Sequence, residues 1–369
     1  MQPIYLYCAV ARLVLCLREQ LFLIRIMGVL MHMADALISP AVGATMWAAS
    51  GGLIAYCSKK VRAELDDRKV PLMGVLGAFV FAAQMINFSI PGTGSSGHIG
   101  GGLLLAILLG PHAAFLTIAS VLIVQALFFA DGGLLALGCN MFNMGFFSCF
   151  IAYPLIFKKI APGPCGSARM TLGALLAAVA GLQLGAFSVV LETVASGVSA
   201  LPFSTFALFM QPVHLAIGVV EGASTAGIVY FVIKARPDIL DAVPESAPSF
   251  RNVSVGLALA ALFLGGVFSW FASEKPDGLE WAVARVTGTE EMATPKTATH
   301  SVFESLQQTV ALLPGYAFKK PDNAAAEKGQ GSPAVNPETS AAGIIGGMVT
   351  LGIALLAGVL LRRSRGNKA

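Results

Sequence analysis

Met31-His32-Met33 and His98, the latter inside Gly97-His98-Ile99-Gly100, are the residues whose types suit a chemical task in this sequence. A chain beginning Met-His presents three nitrogens within one dipeptide: the α-amine of Met31, the amide of His32 and the His32 imidazole. A fourth from His98 would complete a square of nitrogen donors. That geometry suits Ni(II) or Cu(II) rather than Zn(II) or Mg(II). A Met-His pair is also common with no such meaning, so the remainder of the chain has to carry the argument.

His98 closes the densest glycine run of the chain, Pro91-Gly92-Thr93-Gly94-Ser95-Ser96-Gly97-His98-Ile99-Gly100-Gly101-Gly102. Glycines let a backbone turn left-handed and approach a ligand closely. The run lacks the Gly-Lys-Ser/Thr ending of a phosphate cradle and the Gly-x-Ser-x-Gly spacing of a nucleophile elbow. A tight interhelical turn with a passive histidine is the plain alternative.

These residues must be positioned by a membrane bundle. Apolar residues make up 56% of the chain and charged residues 12%, with a mean hydropathy of +0.76. A soluble domain of this size cannot bury so much apolar surface, so the chain reads as all-α and polytopic. The 40 glycines suit close helix packing in a bilayer. A net charge of +4 sits mostly in short loops, which speaks for topology and against nucleic acid. The six cysteines, Cys8, Cys16, Cys57, Cys139, Cys149 and Cys165, lie singly and form no Cys-x-x-Cys pair. They read as small buried hydrophobes rather than metal or disulfide sites.

Apolar stretches at 40–57, 70–89, 99–110, 112–130, 134–157, 170–195 and 212–234 predict a bundle of about seven helices, with 252–273 and 342–361 forming a further pair. Basic clusters at Lys59–Lys69, Lys158–Arg169, Lys234–Arg251 and Arg362–Lys368 assign those ends to the cytoplasm. Met31 and the 90–98 segment then share the outer face, where His32 and His98 can meet. Parity requires three crossings between His98 and Lys158, which forces a helix at 99–110 that is too short to cross alone. Such a helix is reached from an inward-dipping loop.

Residues 1–30 are apolar yet carry Arg12, Arg18, Glu19 and Arg25, and no small-residue cleavage site closes them. They read as a leader or as sequence upstream of a true start at Met31, with Met27 second in line. An extra membrane helix is the alternative, and it would remove the amine ligand. The organisation expected is therefore 1–30, a membrane metal-binding domain at 31–249, and a module at 250–369. In that module an extracytoplasmic segment, 274–341, is polar, and its second half reads as a disordered tether.

Polar residues in otherwise apolar stretches pair with one another or serve function. Asp35, Asn87, Gln125, Asp131, Asn140, Asn143, His214 and Glu221 are of this kind. His214 and Glu221 are seven apart, on one helix face, as members of a supporting network would be. His112 falls on the inner side, away from the metal residues. His300 falls in the outer segment, where a solvated side chain is expected.

Several motifs in order now form a resemblance. Met31-His32-Met33, the Asn87–Gly102 stretch with Ser96-Gly97-His98, Gly110-Pro111-His112, Gln125–Gly133, Leu137-Gly138-Cys139-Asn140 and Pro212-Val213-His214 with Glu221-Gly222 resemble the CbiM/NikM family. These are substrate-capture subunits of energy-coupling factor transporters for cobalt or nickel. Pro276-Asp277-Gly278-Leu279-Glu280-Trp281 resembles the PDGLE domain, similar to the two-helix CbiN/NikN components. The resemblance implies metal ligation by the Met31 amine, the His32 amide and imidazole, and the His98 imidazole, with Asp35, Asn87, Ser96, Gly97, His214 and Glu221 in support. It implies Ni(II) or Co(II) as cargo with no prosthetic group. The partners implied are a transmembrane coupling subunit and ATPase subunits in a bacterial or archaeal cell membrane, with the metal site outside and the C-terminus cytoplasmic. Met33 departs from the usual aliphatic residue but spares the ligating atoms.

An intramembrane hydrolase using Ser96 and His98, or a self-sufficient metal carrier or channel, are the rival classes. The first lacks an elbow and a catalytic carboxylate. The second would show paired broken helices, and one glycine-rich break is present. The general affinity order places Ni(II) above Co(II) at such a site.

Overall fold

The computed structural model describes residues 31–64, 69–163, 165–235, 251–289, 292–295, 297–318 and 336–366. The expectations for residues 1–30, and for most of the tether at 323–341, lie outside these residues. Seven helices follow one another in the first part: α1 (Pro40–Glu64), α2 (Lys69–Gln84), α3 (Gly102–Leu109), α4 (Pro111–Phe129), α5 (Leu137–Ile160), α6 (Ser167–Ser196) and α7 (Phe203–Ala235). The second part has α8 (Arg251–Gly266), α9 (Gly278–Thr287), α10 (Ala298–Val310) and α11 (Pro337–Gly366). By length and apolarity α4, α5, α6, α7 and α11 can each cross a membrane, and α2 and α8 carry shorter apolar segments. The chain is a multi-pass membrane protein.

α3 has eight residues, all of them buried. At 1.5 Å per residue it reaches about 12 Å, under half of a hydrocarbon core. It ends at Gly110, and Pro111 starts α4, where a missing N–H costs nothing. The expected short helix is thus present, enclosed by its neighbours. The polar stretch before it folds as a small hairpin, β1 (Phe88–Ser89) antiparallel to β2 (Ser96–Gly97).

α6 and α7 run together along their length. A Cβ on Gly218 would lie 2.9 Å from Val179 Cα, and one on Gly222 would lie 2.6 Å from Leu175 Cα. Small residues four apart let the two backbones touch where lipid offers no hydrophobic drive. On the other flank α8 and α11 both lie along α2. α5 carries Pro154 and is wound wider than an α-helix from Phe142 to Phe157, which accommodates the hydrogen bond that proline cannot make.

The second part corrects two sequence expectations. It is more than two apolar helices and a tether, because α9 and α10 fold against the first part. His300 is not solvated: it is buried in α10, its Nε2 2.9 Å from the Ile38 carbonyl and 3.2 Å from that of Asp35, its Nδ1 2.6 Å from Thr297 Oγ1. The physical reason is that α10 lays the side bearing His300, Phe303, Gln307 and Val310 on the bundle, where main-chain carbonyls meet the ring, while Val302 and Leu306 stay exposed.

Candidate metal centre

The segment Met31–Ile38 is threaded between the α4–α5 connection and the helices beneath it. Met33 N donates to Asn140 Oδ1 and Asn140 Nδ2 donates to the Met33 carbonyl, both at 3.1 Å, a two-point clamp on the extended backbone. Gly133 N donates to the same carbonyl at 3.0 Å. Asp35 Oδ1 accepts from Ala136 N at 2.9 Å, while burial holds its carboxyl above the usual range against the pull of the Ala136 and Leu135 amides. At Gly132, φ is +79° and a Cβ would come within 2.8 Å of His32 Cβ. Only glycine fits there without strain, and its absence of side chain leaves room for the His32 imidazole.

Two nitrogens of this segment converge on one carboxylate. Met31 N donates to Asp131 Oδ1 at 2.8 Å, and His32 Nδ1 lies 3.1 Å from Asp131 Oδ2. The second is an ion-pair distance without hydrogen-bond alignment, so both ring nitrogens of the buried His32 lack an aligned partner. Tyr316 OH donates to Asp131 Oδ2 at 2.6 Å. Burial works to raise the Asp131 carboxyl, but His32, the Tyr316 hydroxyl and the Met31 N–H together hold it below the ordinary value. An imidazole with two unmatched nitrogens inside a protein interior is costly. A neutral imidazole carries one N–H and one lone pair, and a metal ion that takes the lone pair would remove part of that cost.

His98 arrives from the hairpin loop. Its ring centroid is 5.4 Å from that of His32, tilted by 60°. Its Nδ1 lies 3.3 Å from Asp277 Oδ1. Burial works to lower the imidazole's pKa, but Asp277, together with Asp131 and Glu221, leaves it above the usual value. The loop is held inside the bundle by side chains: Glu221 accepts from Gly100 N at 2.8 Å and Gly101 N at 3.1 Å, and Gln84 Nε2 donates to the Gly100 carbonyl at 2.9 Å. Gln125 in turn donates to Gln84. Irregular backbone is tolerated there because its polar groups are met within the protein.

Met31, His32 and His98 are therefore together, and of the supporting residues Asp35 and Glu221 hold their respective segments directly. Ser96 donates from its hydroxyl to the Lys275 carbonyl at 2.6 Å and from its N–H to the Pro276 carbonyl at 2.8 Å. Gly97 is pressed against Ile217. His214 donates from Nδ1 to the Met210 carbonyl at 2.8 Å within α7 and faces Gly278. The Asn87 carbonyl accepts from Ser273 N at 2.7 Å, and its side-chain Oδ1 is buried without a partner. Among the described residues no group of three His, Cys, Asp or Glu side chains forms a conventional metal cluster. What the site brings together is two imidazoles beside the Met31 nitrogen.

Sequence reasoning gave Asp131 and Asn140 a pairing role within the family motifs, named Asp277 only as part of the PDGLE motif, and did not single out Tyr316. Residues 32–239 match the family described as the cobalt uptake substrate-specific transmembrane region, CbiM, and residues 251–363 match the PDGLE domain. The chain belongs to the CbiM family. A putative metal transport protein of Haloquadratum walsbyi is 37% identical over 212 residues, covering 57% of this chain and 93% of its own. The fused nickel transport protein NikMN of Rhodobacter capsulatus is 33% identical over 249 residues, 63% of this chain and 70% of that one. The crystal structure of a transition metal transporter is similar at 32% identity, covering 56% of this chain and 93% of that one, with a TM-score of 0.48. In this CbiM-family chain the PDGLE sequence is the segment that delivers Asp277 to His98.

Proposed function

We propose that this protein is the membrane subunit that captures Ni(II) or Co(II) for an ATP-driven importer, without catalysing a reaction itself. The observation that carries the reading is the meeting of His32 and His98 beside the Met31 nitrogen, with the buried His32 imidazole left without aligned partners. The names of the relatives, nickel and cobalt transport proteins, support the same cargo. With translation starting at Met31, the nitrogen facing Asp131 is an α-amine. The donor set is then that amine, the His32 amide and imidazole, and the His98 imidazole. His98 Nδ1 is occupied by Asp277, so Nε2 is the nitrogen left to coordinate. Four nitrogens in a square favour nickel over cobalt.

The domain division that supports this is 31–249 for capture and 250–369 as an assisting module, with the site on the extracytoplasmic face and the C-terminus inside. Asn87, Ser96, Gly97 and His214 are proposed to keep the His98 loop in place. Energy would come from separate ATPase subunits through a transmembrane coupling subunit. The hydrolase alternative loses ground because the Ser96 hydroxyl is directed at the Lys275 carbonyl instead of His98.

Two measurements test the proposal. N-terminal sequencing of protein made from its own upstream region is expected to return Met31; a mature chain starting at Met1 removes the amine ligand. Titration of His98→Ala with Ni(II) is expected to show binding abolished in a protein that still inserts. Unchanged affinity removes His98 from the site.

A further inference from the structure

The loop that precedes α9 reaches the His98 hairpin by contacts that do not involve the side chain at position 277. Ser96 N donates to the Pro276 carbonyl, and Ser273 N to the Asn87 carbonyl. Ser89 Oγ and Ser273 Oγ are 2.9 Å apart. Trp281 Nε1 donates to the Thr93 carbonyl at 3.0 Å, and the indole sits edge-on to Phe209 with centroids 5.7 Å apart. These contacts would hold the loop down with almost any residue at position 277. That position is nevertheless an aspartate, buried, with Oδ1 aimed at His98 Nδ1.

A carboxylate has no proton to give, so at 3.3 Å the hydrogen of that contact sits on His98 Nδ1. This fixes the tautomer and leaves the Nε2 lone pair available. A ligating imidazole held in this way by a carboxylate is both oriented and made more basic. Asp277 is also the N-cap of α9, in a capping box with Glu280, so its role in the helix has to be separated from its role at the ring.

We propose that Asp277 is a positioning residue for His98: the C-terminal module supplies the carboxylate that fixes the imidazole's tautomer and orientation for metal binding. The inference rests on the capture reading above. Asp277 does not itself bind the metal.

The test uses the full chain produced from its own upstream region, titrated with Ni(II). Asp277→Ser keeps a good N-cap but is too short to reach the ring. Asp277→Asn keeps both the cap and a carbonyl oxygen that accepts from Nδ1–H. Each is also made with Ser89→Cys and Ser273→Cys, whose crosslink reports docking of the loop. The expected result is a loss of Ni(II) affinity of about 10–100-fold in Asp277→Ser and less than about 10-fold in Asp277→Asn. The crosslink should form in both, and at saturating metal the ligand-field absorption band should match that of the parent. Unchanged affinity in Asp277→Ser overturns the proposal. So does a shifted band, which would make Asp277 a ligand, and so does loss of the crosslink, which would make it only a fastening of the module. Failure of the parent chain to bind Ni(II), or unchanged binding by His98→Ala, instead overturns the capture reading itself.

Discussion

Three groups meet Asp131: it accepts from the Met31 nitrogen and the Tyr316 hydroxyl, and His32 Nδ1 lies at ion-pair distance. Of these the Tyr316 contact is the shortest and the most remote in sequence, 185 residues away. The ring of Tyr316 stacks on Phe129 with centroids 4.9 Å apart, so Tyr316→Phe should keep the packing and lose only the hydrogen bond. A bond to a buried charged group is worth about 1.5–3 kcal/mol. The variant is expected to melt at lower temperature by that measure, and an unchanged melting temperature would show that Asp131 finds another donor. His300→Ala is expected to destabilise by a similar amount, about 1–3 kcal/mol, because the Asp35 and Ile38 carbonyls lose their shared donor. That Met31, His32 and His98 come together was legible in the sequence, because a Met-His dipeptide and a glycine run are local features. Asp131, Asp277 and Tyr316 were not, because each acts through a residue about one hundred or more positions away, and no local pattern says which partner an aspartate will meet.

Among the elements, the short helix α3 and the loop before it depend on α7. The expectation of a helix near 99–110 came from counting crossings, and α3 occupies 102–109. What the count could not reveal is how a glycine backbone is kept inside the bundle, because that depends on Glu221 accepting from both Gly100 N and Gly101 N. Removing the acceptor strands two main-chain donors, at about 1–3 kcal/mol each. Glu221→Ala should therefore destabilise strongly and release the His98 loop, whereas Glu221→Gln keeps one oxygen and should retain much of the stability. Thermal unfolding in detergent, with and without Ni(II), checks the order Glu, Gln, Ala; an Ala variant as stable as the parent would show that the loop is carried otherwise. The same helix bears Gly218 and Gly222 against α6. Gly222→Val would force the two backbones apart, an overpacking cost of about 1–3 kcal/mol.

At the scale of the whole molecule, the second part both covers the centre and reaches into its surroundings. It contacts the His98 loop through Asp277, the Asp131 carboxylate through Tyr316, and the Asp35–Ile38 backbone through His300. Gln307 Nε2 adds bonds to the Gly132 and Ala126 carbonyls at 2.7 and 2.9 Å, and Leu313 N donates to the Phe128 carbonyl at 3.0 Å. From composition the segment 250–369 offers one histidine and no cysteine, too few donors for a transition-metal site. That leaves the proposed ligands in the first part, with part of their support in the second. The relative from Haloquadratum walsbyi aligns over 93% of its length with 57% of this chain, which speaks for a first part able to fold without a fused module. Removing 250–369 is therefore expected to leave an inserted protein that binds Ni(II) more weakly, by about 10–100-fold as for loss of supporting contacts at other metal sites. Uptake by cells supplied with the ATPase and coupling subunits should fall further than binding does. A truncated chain with full affinity would mean that the ligands are positioned wholly by the first seven helices. A folded truncated chain with no affinity at all would mean that a ligand, and not only its support, lies beyond residue 250.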